Sequence, residues 1–158
     1  MFVSNGWAIY FHRVFEERFR ELLARAGRLK KRLPAAQYRQ HPEVKLLARV
    51  NHVITETIPA DPEASAFWLK GTLSKFRRTK GHSLPDRYRL FWAFSSRLKV
   101  IIILYLNDDT TLRKQGASSD PYTVFSRLVQ QGELGQDFEA NWRVVHSELT
   151  KKQKEPPG

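Results

Sequence analysis

The 158-residue chain contains no cysteine, so disulfide bonds, thiol nucleophiles and thiolate metal sites are excluded. Acidic residues are also scarce, with 16 Asp and Glu against 27 Lys and Arg. No apolar run approaches the roughly 20 residues that a membrane-spanning helix requires. The longest run, Val100–Leu106, has the length of a β-strand. Since residues 1–10 also lack a secretory signal pattern, we expect a cytoplasmic protein with no membrane partner.

Several catalytic motifs are missing as well. The sequence has no glycine-rich phosphate loop, no HExxH motif, no Cys/His zinc spacing and no G-x-S-x-G nucleophile motif. Asp108 and Asp109 could ligate magnesium, but adjacent residues on a strand point to opposite faces. A turn at the end of a strand explains these two acids better. We therefore expect no metal and no cofactor.

The chain is rich in basic residues, and these are concentrated in two segments. The net charge is +11. Residues 75–114 contain 10 Lys and Arg against 3 Asp and Glu, and residues 13–32 contain 8 against 3. Charge of this size favours polyanions such as DNA, RNA, anionic lipid or an acidic protein. For the block at 13–32 we favour a solvated helix face, with polyanion contact as the alternative.

The hydrophobic pattern predicts an α+β fold with the element order β-α-α-β-β-β-α-α. Strands are predicted at residues 7–11, at 69–73 and 76–80 as one interrupted strand, at 87–95 and at 99–106, the later ones forming an antiparallel meander. The first predicted helix has an apolar stripe from Phe15 to Leu29 and stops at Pro34. Further helices are predicted from Pro42 to Pro59, from Pro121 to Gln131, and after Asp137. Asp120 should cap the third helix and Gly132 should end it. Residues 1–150 are predicted to form one domain, followed by a disordered tail at 151–158.

Two of the predicted strands carry basic residues in alternation. Arg87 and Arg89 flank Tyr88, so both guanidinium groups should project from one face of the strand. Arg78 and Lys80 should share a face of the preceding segment. If these strands pair, four cations converge, and a phosphate is their natural partner because a guanidinium fork matches its geometry. The alternative is a set of salt bridges or a solvated sheet edge, although acids are scarce nearby.

Aromatic residues interleave with these cations and could stack on the bases of single-stranded RNA. Those of the strand at 87–95 are mostly expected in the core, whereas Tyr88 or Tyr105 could be exposed. His82, in the predicted turn beside the basic patch, is either a general acid or base or an ordinary loop histidine.

Six segments form a series along the chain: NGWAIYFH at 5–12, KLLARVNHVITETIPADP at 45–62, FRRTK at 76–80, RYRLFW at 87–92, KVIIILYLNDDTTLRKQG at 99–116 and SDPYTVFSRLVQQG at 119–132. In this order they resemble the YhaV toxins, a branch of the RelE superfamily of toxin–antitoxin ribonucleases. The series RYRLF…NDxxTLR…DxYxVF carries most of the resemblance, which covers nearly the whole chain.

The resemblance implies a RelE-like fold, with an N-terminal strand and a helical hairpin packed on a small, mostly antiparallel sheet, followed by C-terminal helices. It implies a growth-inhibiting toxin that cleaves messenger RNA in association with the ribosome and without a metal ion. It also implies a PrlF-like antitoxin with an AbrB-type swapped-hairpin domain. That antitoxin would neutralise the toxin and bring the complex to operator DNA.

The resemblance also assigns catalytic residues: Arg78 and Lys80 before the turn, Arg89 on the next strand, Arg113 after the last strand and Tyr122 at the start of the C-terminal helix. The reaction would be attack of a ribose 2′-hydroxyl on the adjacent phosphate. Arg78 and Arg89 would stabilise the developing charge, and Arg113 would position the phosphate. Lys80 or Tyr122 would move protons.

Four neighbouring residues are expected to bind RNA: Arg77, Arg87, Tyr88 and His82. Two other functions use the same patch. The chain could be a non-catalytic basic RNA-binding module, which needs no proton shuttle. It could also be an interaction domain whose basic groove only receives the acidic tail of an antitoxin.

Overall fold

The computed structural model describes residues 1–154, except for the side chains of His82 and Lys154. The strands of this part are β1 (Phe2–Ser4), β2 (Trp7–Phe11), β3 (Arg77–Thr79), β4 (Leu90–Ser95) and β5 (Val100–Leu106). They form one sheet in the order β1-β2-β5-β4-β3. The pair β2–β5 is parallel and the other pairs are antiparallel. The predicted α+β class with a mostly antiparallel sheet is confirmed.

The helices of the described part are α1 (Arg13–Arg32), α2 (Ala35–Gln40), α3 (Pro42–His52), α4 (Ile58–Ala60), α5 (Pro121–Gln130) and α6 (Phe138–Lys154). A π-helical turn at Val53–Thr57 joins α3 to α4, so the helix predicted from Pro42 to Pro59 is one helical run with a bulge inside it. α1 and α3 pack together as the predicted hairpin. No helix within residues 1–154 combines the length and apolar character needed to cross a membrane.

The sheet is the middle layer of three. On one face, Trp92 belongs to a core cluster with Leu22 of the helical hairpin. On the other face, Phe91 stacks on Phe125 of α5, with ring centroids 4.4 Å apart. All seven residues of β5 are buried, which confirms the prediction of a central strand apolar on both faces.

β1 is a strand that the sequence pattern did not predict. It forms a hairpin with β2 through Asn5 and Gly6, whose φ angles are 49° and 81°. A tight hairpin turn with positive φ at both central positions favours Asn-Gly, because these residues tolerate the left-handed conformation. The Asn-Gly pair was therefore a readable signal for a strand before Trp7.

The prediction of a strand at 69–73 is wrong. Trp68 makes a single antiparallel bridge to Arg77, and the chain then enters a 3₁₀ turn at Gly71–Leu73. Gly71 has a φ of 65°, which takes the chain out of the extended conformation. The segment therefore extends the sheet by one residue only.

The strand predicted at 87–95 is shorter in the structure. β4 begins at Leu90, because Arg87 has a φ of 68° and cannot continue a strand in that conformation. Arg87 and Arg89 therefore lie in an irregular segment that leads into β4. The alternation of side chains assumed for them does not apply.

The predicted ends of the C-terminal helices are mostly confirmed. The Asp120 carboxylate accepts a hydrogen bond from Tyr122 N at 3.1 Å and caps α5. Gly132, just after α5, has a φ of 80°, as expected of a glycine that ends a helix.

α6 runs through Lys154, so residues 151–154 of the predicted tail are helical. The sequence holds no proline or glycine there to stop the helix, and lysines near a helix C-terminus interact favourably with its dipole. The rest of the predicted tail, residues 155–158, lies outside the described residues.

His12 caps the N-terminus of α1 from inside the protein. Its Nδ1 accepts a hydrogen bond from Val14 N at 3.1 Å, and the residue is 3% exposed. Burial, assisted by the neighbouring charge of Arg13, lowers the pKa of His12 from 6.5 to about 4. The folded protein therefore keeps His12 neutral and able to accept this bond.

We expect acid to destabilise the protein through His12. Between pH 6.5 and pH 4 the unfolded chain takes up a proton on His12 and the folded chain does not. The contribution to the free energy of unfolding is complete above pH 6.5 and falls by about 3 kcal/mol as the pH drops to 4. Asparagine at this position keeps a capping acceptor without this titration. Urea unfolding near pH 7 and near pH 4 should show a smaller difference for His12→Asn than for the parent, and equal differences would contradict this account.

Candidate active site

Tyr122, in the first turn of α5, lies between two arginine side chains. Arg89 Nε donates a hydrogen bond to the Tyr122 hydroxyl at 3.3 Å. The Arg113 guanidinium lies over the Tyr122 ring, 4.7 Å from its centroid. Arg89 precedes β4 and Arg113 follows β5, so the tertiary fold brings a phenol and two permanent cations to one end of the sheet.

Arg113 is oriented by a buried carboxylate. Asp120 is 2% exposed, and its Oδ1 accepts hydrogen bonds from Arg113 Nη1 at 2.6 Å and from Lys114 N at 2.7 Å. Its Oδ2 caps the helix that carries Tyr122. One charge-assisted network therefore fixes both the arginine and the start of the helix. From sequence, only the capping role of Asp120 was foreseen.

Arg89 is held by Asn107, a fully buried residue directly after β5. Asn107 Oδ1 accepts from Arg89 N at 2.8 Å, and Asn107 Nδ2 donates to the carbonyl oxygens of Arg87 at 3.1 Å and Thr111 at 2.8 Å. The side chain thus joins the segment before β4 to the loop after β5. Asn107 had no predicted role, although an amide directly after an apolar strand was a signal for such a junction.

Arg87 lies in the irregular segment before β4 and contacts the site from there. Its Nε donates to the carbonyl oxygen of Arg113 at 3.0 Å, and Arg113 N donates to the carbonyl oxygen of Arg87 at 2.9 Å. These reciprocal bonds tie the two arginine-bearing segments together. Arg87 is exposed, so its remaining donors face solvent beside Arg113.

Lys80 directly follows β3, as Arg89 directly precedes β4. The register of the two strands ends with Thr79 opposite Leu90, so Lys80 and Arg89 are the next residues of the two segments. Lys80 is exposed. The structure therefore brings three of the five residues that the sequence assigned to catalysis into contact, Arg89, Arg113 and Tyr122. Lys80 follows the end of β3, next to the start of β4.

Arg78 is placed differently. Its Nη1 donates to the carbonyl oxygen of Ala66 at 3.1 Å, and its Nη2 donates to that of Trp68 at 3.4 Å. The guanidinium thus clamps the segment at 66–68 against β3, at the edge of the sheet. Arg78 lies opposite Phe91, whose ring contacts the Tyr122 ring edge-on at 5.4 Å between centroids. Phe91 therefore lies between Arg78 and Tyr122.

Arg77 is turned towards the protein. Its guanidinium lies over the Phe94 ring at 5.4 Å, and its Nη1 donates to the carbonyl oxygens of Ser74 at 3.1 Å and Phe76 at 2.9 Å. Burial lowers the pKa of Arg77. The side chain therefore stabilises the turn before β3.

Tyr88 and His82 complete the set of predicted RNA-binding residues. Tyr88 packs against the core on the hairpin side of the sheet, and desolvation raises the pKa of its hydroxyl. The backbone of His82 lies in a 3₁₀ turn at Gly81–Ser83, and its side chain lies outside the described part of the structure. The Tyr88 side chain does not join the described contacts around Tyr122.

Asp108 supports the turn after β5, as the sequence favoured. Its Oδ1 accepts hydrogen bonds from Thr110 N at 2.9 Å, from the Thr110 hydroxyl at 2.6 Å and from the Thr111 hydroxyl at 2.9 Å. Desolvation raises the pKa of the carboxyl, but these hydrogen bonds outweigh it and the pKa is lowered. Within the described residues, no group of three or more His, Asp or Glu side chains is placed to hold a metal ion together.

Fold and site together define a small, basic α+β protein that presents a tyrosine between cations at one end of its sheet. The chain belongs to the YhaV toxin family, described as toxins with endonuclease activity of toxin–antitoxin systems. The family model matches residues 9–145. The resemblance seen in the six sequence segments is thereby confirmed, and membership implies an antitoxin partner.

Curated relatives agree with this assignment. The chain is 37% identical over 139 residues to the toxin YhaV of Escherichia coli O6:H1 (strain CFT073), covering 86% of this chain and 90% of that protein. It is 38% identical over 138 residues to the ribonuclease toxin YhaV of E. coli K12, covering 85% and 89% respectively. No solved structure gives a significant match.

Proposed function

We propose that this chain is an endoribonuclease that cleaves messenger RNA by attack of a ribose 2′-hydroxyl on the adjacent phosphate. The observation that carries the proposal is the contact of Tyr122 with both Arg89 and Arg113. The K12 relative is itself named a ribonuclease toxin. RNA is the substrate that fits this mechanism, because DNA lacks the 2′-hydroxyl.

The reaction requires positive charge at the phosphate, a proton acceptor and a proton donor. Arg89 and Arg113 supply fixed charge, and both are already oriented by hydrogen bonds before RNA binds. Lys80 and Tyr122 are the groups that can take the proton from the 2′-hydroxyl and deliver one to the leaving 5′-oxygen. The products are a 2′,3′-cyclic phosphate and a 5′-hydroxyl end, and no metal ion or cofactor takes part.

The site is better equipped to stabilise negative charge than to transfer protons. Arginine keeps its charge at all accessible pH values, whereas free lysine and tyrosine side chains already carry their proton at neutral pH and so accept another group's proton poorly. Accurate orientation of the reacting 2′-hydroxyl can replace part of the missing catalysis. This favours cytoplasmic messenger RNA held on the ribosome as the substrate. Arg78, one strand away, adds charge for a neighbouring phosphate.

The fold fits a RelE-like toxin, since a helical hairpin packs on a mostly antiparallel sheet and the site lies at one end of that sheet. We propose a PrlF-like antitoxin as its partner, with an AbrB-type DNA-binding domain. Operator DNA would then be bound through the antitoxin, and growth inhibition would be relieved when the two proteins are made together.

Expression of the chain in cells, followed by mapping of RNA ends, tests the proposal. We expect new ends inside coding sequences, with 5′-hydroxyl and 2′,3′-cyclic phosphate chemistry, and fewer of them when the antitoxin is produced as well. New ends bearing 5′-phosphates would contradict 2′-hydroxyl attack. If growth stops and no new ends form, the chain acts as a non-catalytic RNA-binding toxin.

A further inference from the structure

Trp68 is the one aromatic residue of the described chain that is more than half exposed. Its exposed fraction is 56%, and its neighbours Phe67 and Leu69 are each 9% exposed. The other exposed large apolar residues of the described chain are aliphatic: Met1, Val3, Leu23, Leu98 and Val144. An aromatic face in water is available for stacking with a nucleic-acid base.

The Trp68 ring is held in place. Its Nε1 donates a hydrogen bond to the carbonyl oxygen of Glu63 at 3.2 Å, which fixes one edge of the indole. The main chain of Trp68 bridges Arg77 in β3, and its carbonyl oxygen accepts from Arg78 at 3.4 Å. A ligand that binds the ring therefore meets an aromatic face whose conformational freedom is already reduced.

The chain around Trp68 is strongly basic. Residues 68–80 contain no Asp or Glu, and their basic residues are Lys70, Lys75, Arg77, Arg78 and Lys80. The three lysines are exposed. Glu63 contacts the indole through its main chain, and its carboxylate accepts from the Ser96 hydroxyl at 2.8 Å. One guanidinium, that of Arg78, contacts the main chain of Trp68, and the exposed lysines follow in the same segment.

We infer that Trp68 is a base-stacking subsite for single-stranded RNA, at the edge of the sheet and outside the candidate active site. An exposed aromatic face among lysines and arginines is how proteins hold single strands, because every base has a π-face and every nucleotide a phosphate. Protein-binding surfaces, by contrast, are depleted in lysine. The inference rests on the proposed function, since it assumes that RNA is the substrate.

The position of Trp68 suits RNA that also occupies the active site. Trp68 pairs with β3, and β3 pairs with β4, which Arg89 precedes. Arg77 lies opposite Trp92, three residues beyond Arg89, so two strand spacings of about 4.8 Å and about three residues of strand put the main chain of Trp68 roughly 14 Å from that of Arg89. A few nucleotides span this distance around the edge of the sheet, where Arg78 and Lys80 can neutralise their phosphates.

Fluorescence anisotropy of a short labelled oligouridine with 2′-O-methyl riboses tests the subsite, because this probe binds without being cleaved. Stacking is worth enough for Trp68→Ala to weaken binding by about 5- to 150-fold. Trp68→Phe should retain most of the affinity, since it keeps an aromatic face. Leu23→Ala, which removes an exposed apolar side chain on α1, is the matched control and should bind like the parent.

Salt dependence separates stacking from charge. Trp68→Ala should leave the slope of log affinity against log salt concentration unchanged, whereas Lys75→Ala should make it shallower because a phosphate contact is lost. Unchanged binding by Trp68→Ala would overturn the inference. So would a loss of antitoxin binding with unchanged RNA binding, which would make Trp68 a protein contact.

Cleavage of unmodified RNA by the parent protein is scored separately. If the parent cleaves RNA and Trp68→Ala binds the oligouridine normally, the subsite fails and the proposed function stands. If the parent does not cleave RNA but Trp68→Ala weakens binding, the enzymatic proposal fails and the stacking subsite stands.

Discussion

Replacement of Arg89 by alanine should lower the rate of RNA cleavage by about 100- to 1,000-fold, the usual effect of removing one preorganised donor from a developing anion. Two nitrogens of the Arg89 guanidinium are fixed before substrate binds, Nη1 by the carbonyl oxygen of Tyr88 at 2.8 Å and Nε by the Tyr122 hydroxyl at 3.3 Å. The variant loses this fixed charge and also frees Tyr122. Single-turnover cleavage of ribosome-bound messenger RNA, measured by product ends, gives the rate.

Two further variants make the Arg89 result specific. Arg97→Ala removes an exposed cation from the turn between β4 and β5, so it changes the net charge equally and should leave the rate nearly unchanged. Arg89→Lys keeps the charge but not the planar fork, and it should recover little activity. Equal cleavage by Arg89→Ala and the parent would place the active site elsewhere on the molecule.

Asn107→Ala should lower both the stability and the cleavage rate. The substitution leaves Arg89 N and the carbonyl oxygen of Thr111 without their partner, whereas the carbonyl oxygen of Arg87 keeps its bond from Arg113 N. The expected loss in the free energy of unfolding is about 3 kcal/mol. The substitution also releases the segment that carries Arg87 and Arg89. A displacement of a catalytic group by about 1 Å can cost about 100-fold in rate, so we expect a loss of that order.

The chain offers a matched control for Asn107. Asn141 is equally buried, and its side chain bonds Gly135 N and O at 2.8 and 3.2 Å and Asp137 O at 2.8 Å. Asn141→Ala should cost a similar amount of stability, but these contacts lie at the start of α6. Urea unfolding and cleavage at a temperature where both variants are folded compare the two. If both variants lose cleavage in proportion to their loss of stability, Asn107 acts through folding alone.

Much of the fold could be predicted because local chemistry decided it. β5 is an uninterrupted apolar run, and such a run is buried wherever it lies in a sheet. Asp120 followed by Pro121 starts a helix because a capping carboxylate and a fixed φ act within one turn. The failures were also local: the Asn5-Gly6 hairpin and the left-handed φ of Arg87 interrupt patterns that assume continuous extended chain.

The sequence predicted which residues form the candidate site, but not how they are arranged in space. Motif resemblance selected Arg89, Arg113 and Tyr122, but it gave no reason for them to meet. It also set Arg78 beside them, whereas the structure directs that guanidinium to main-chain carbonyls at the sheet edge. Which acceptor an arginine takes depends on how close another segment passes, and periodicity carries no information about that distance.

By itself, the sequence determined the basic charge, the α+β order and membership of a toxin family, since composition, local pattern and motif series are properties of the chain. The tertiary structure alone decided that Tyr122 lies between Arg89 and Arg113, that Asn107 joins their segments, and that Trp68 stays in water. The hydrogen bonds involved join residues 18 and 33 positions apart. Such contacts form only after the sheet and helices have packed.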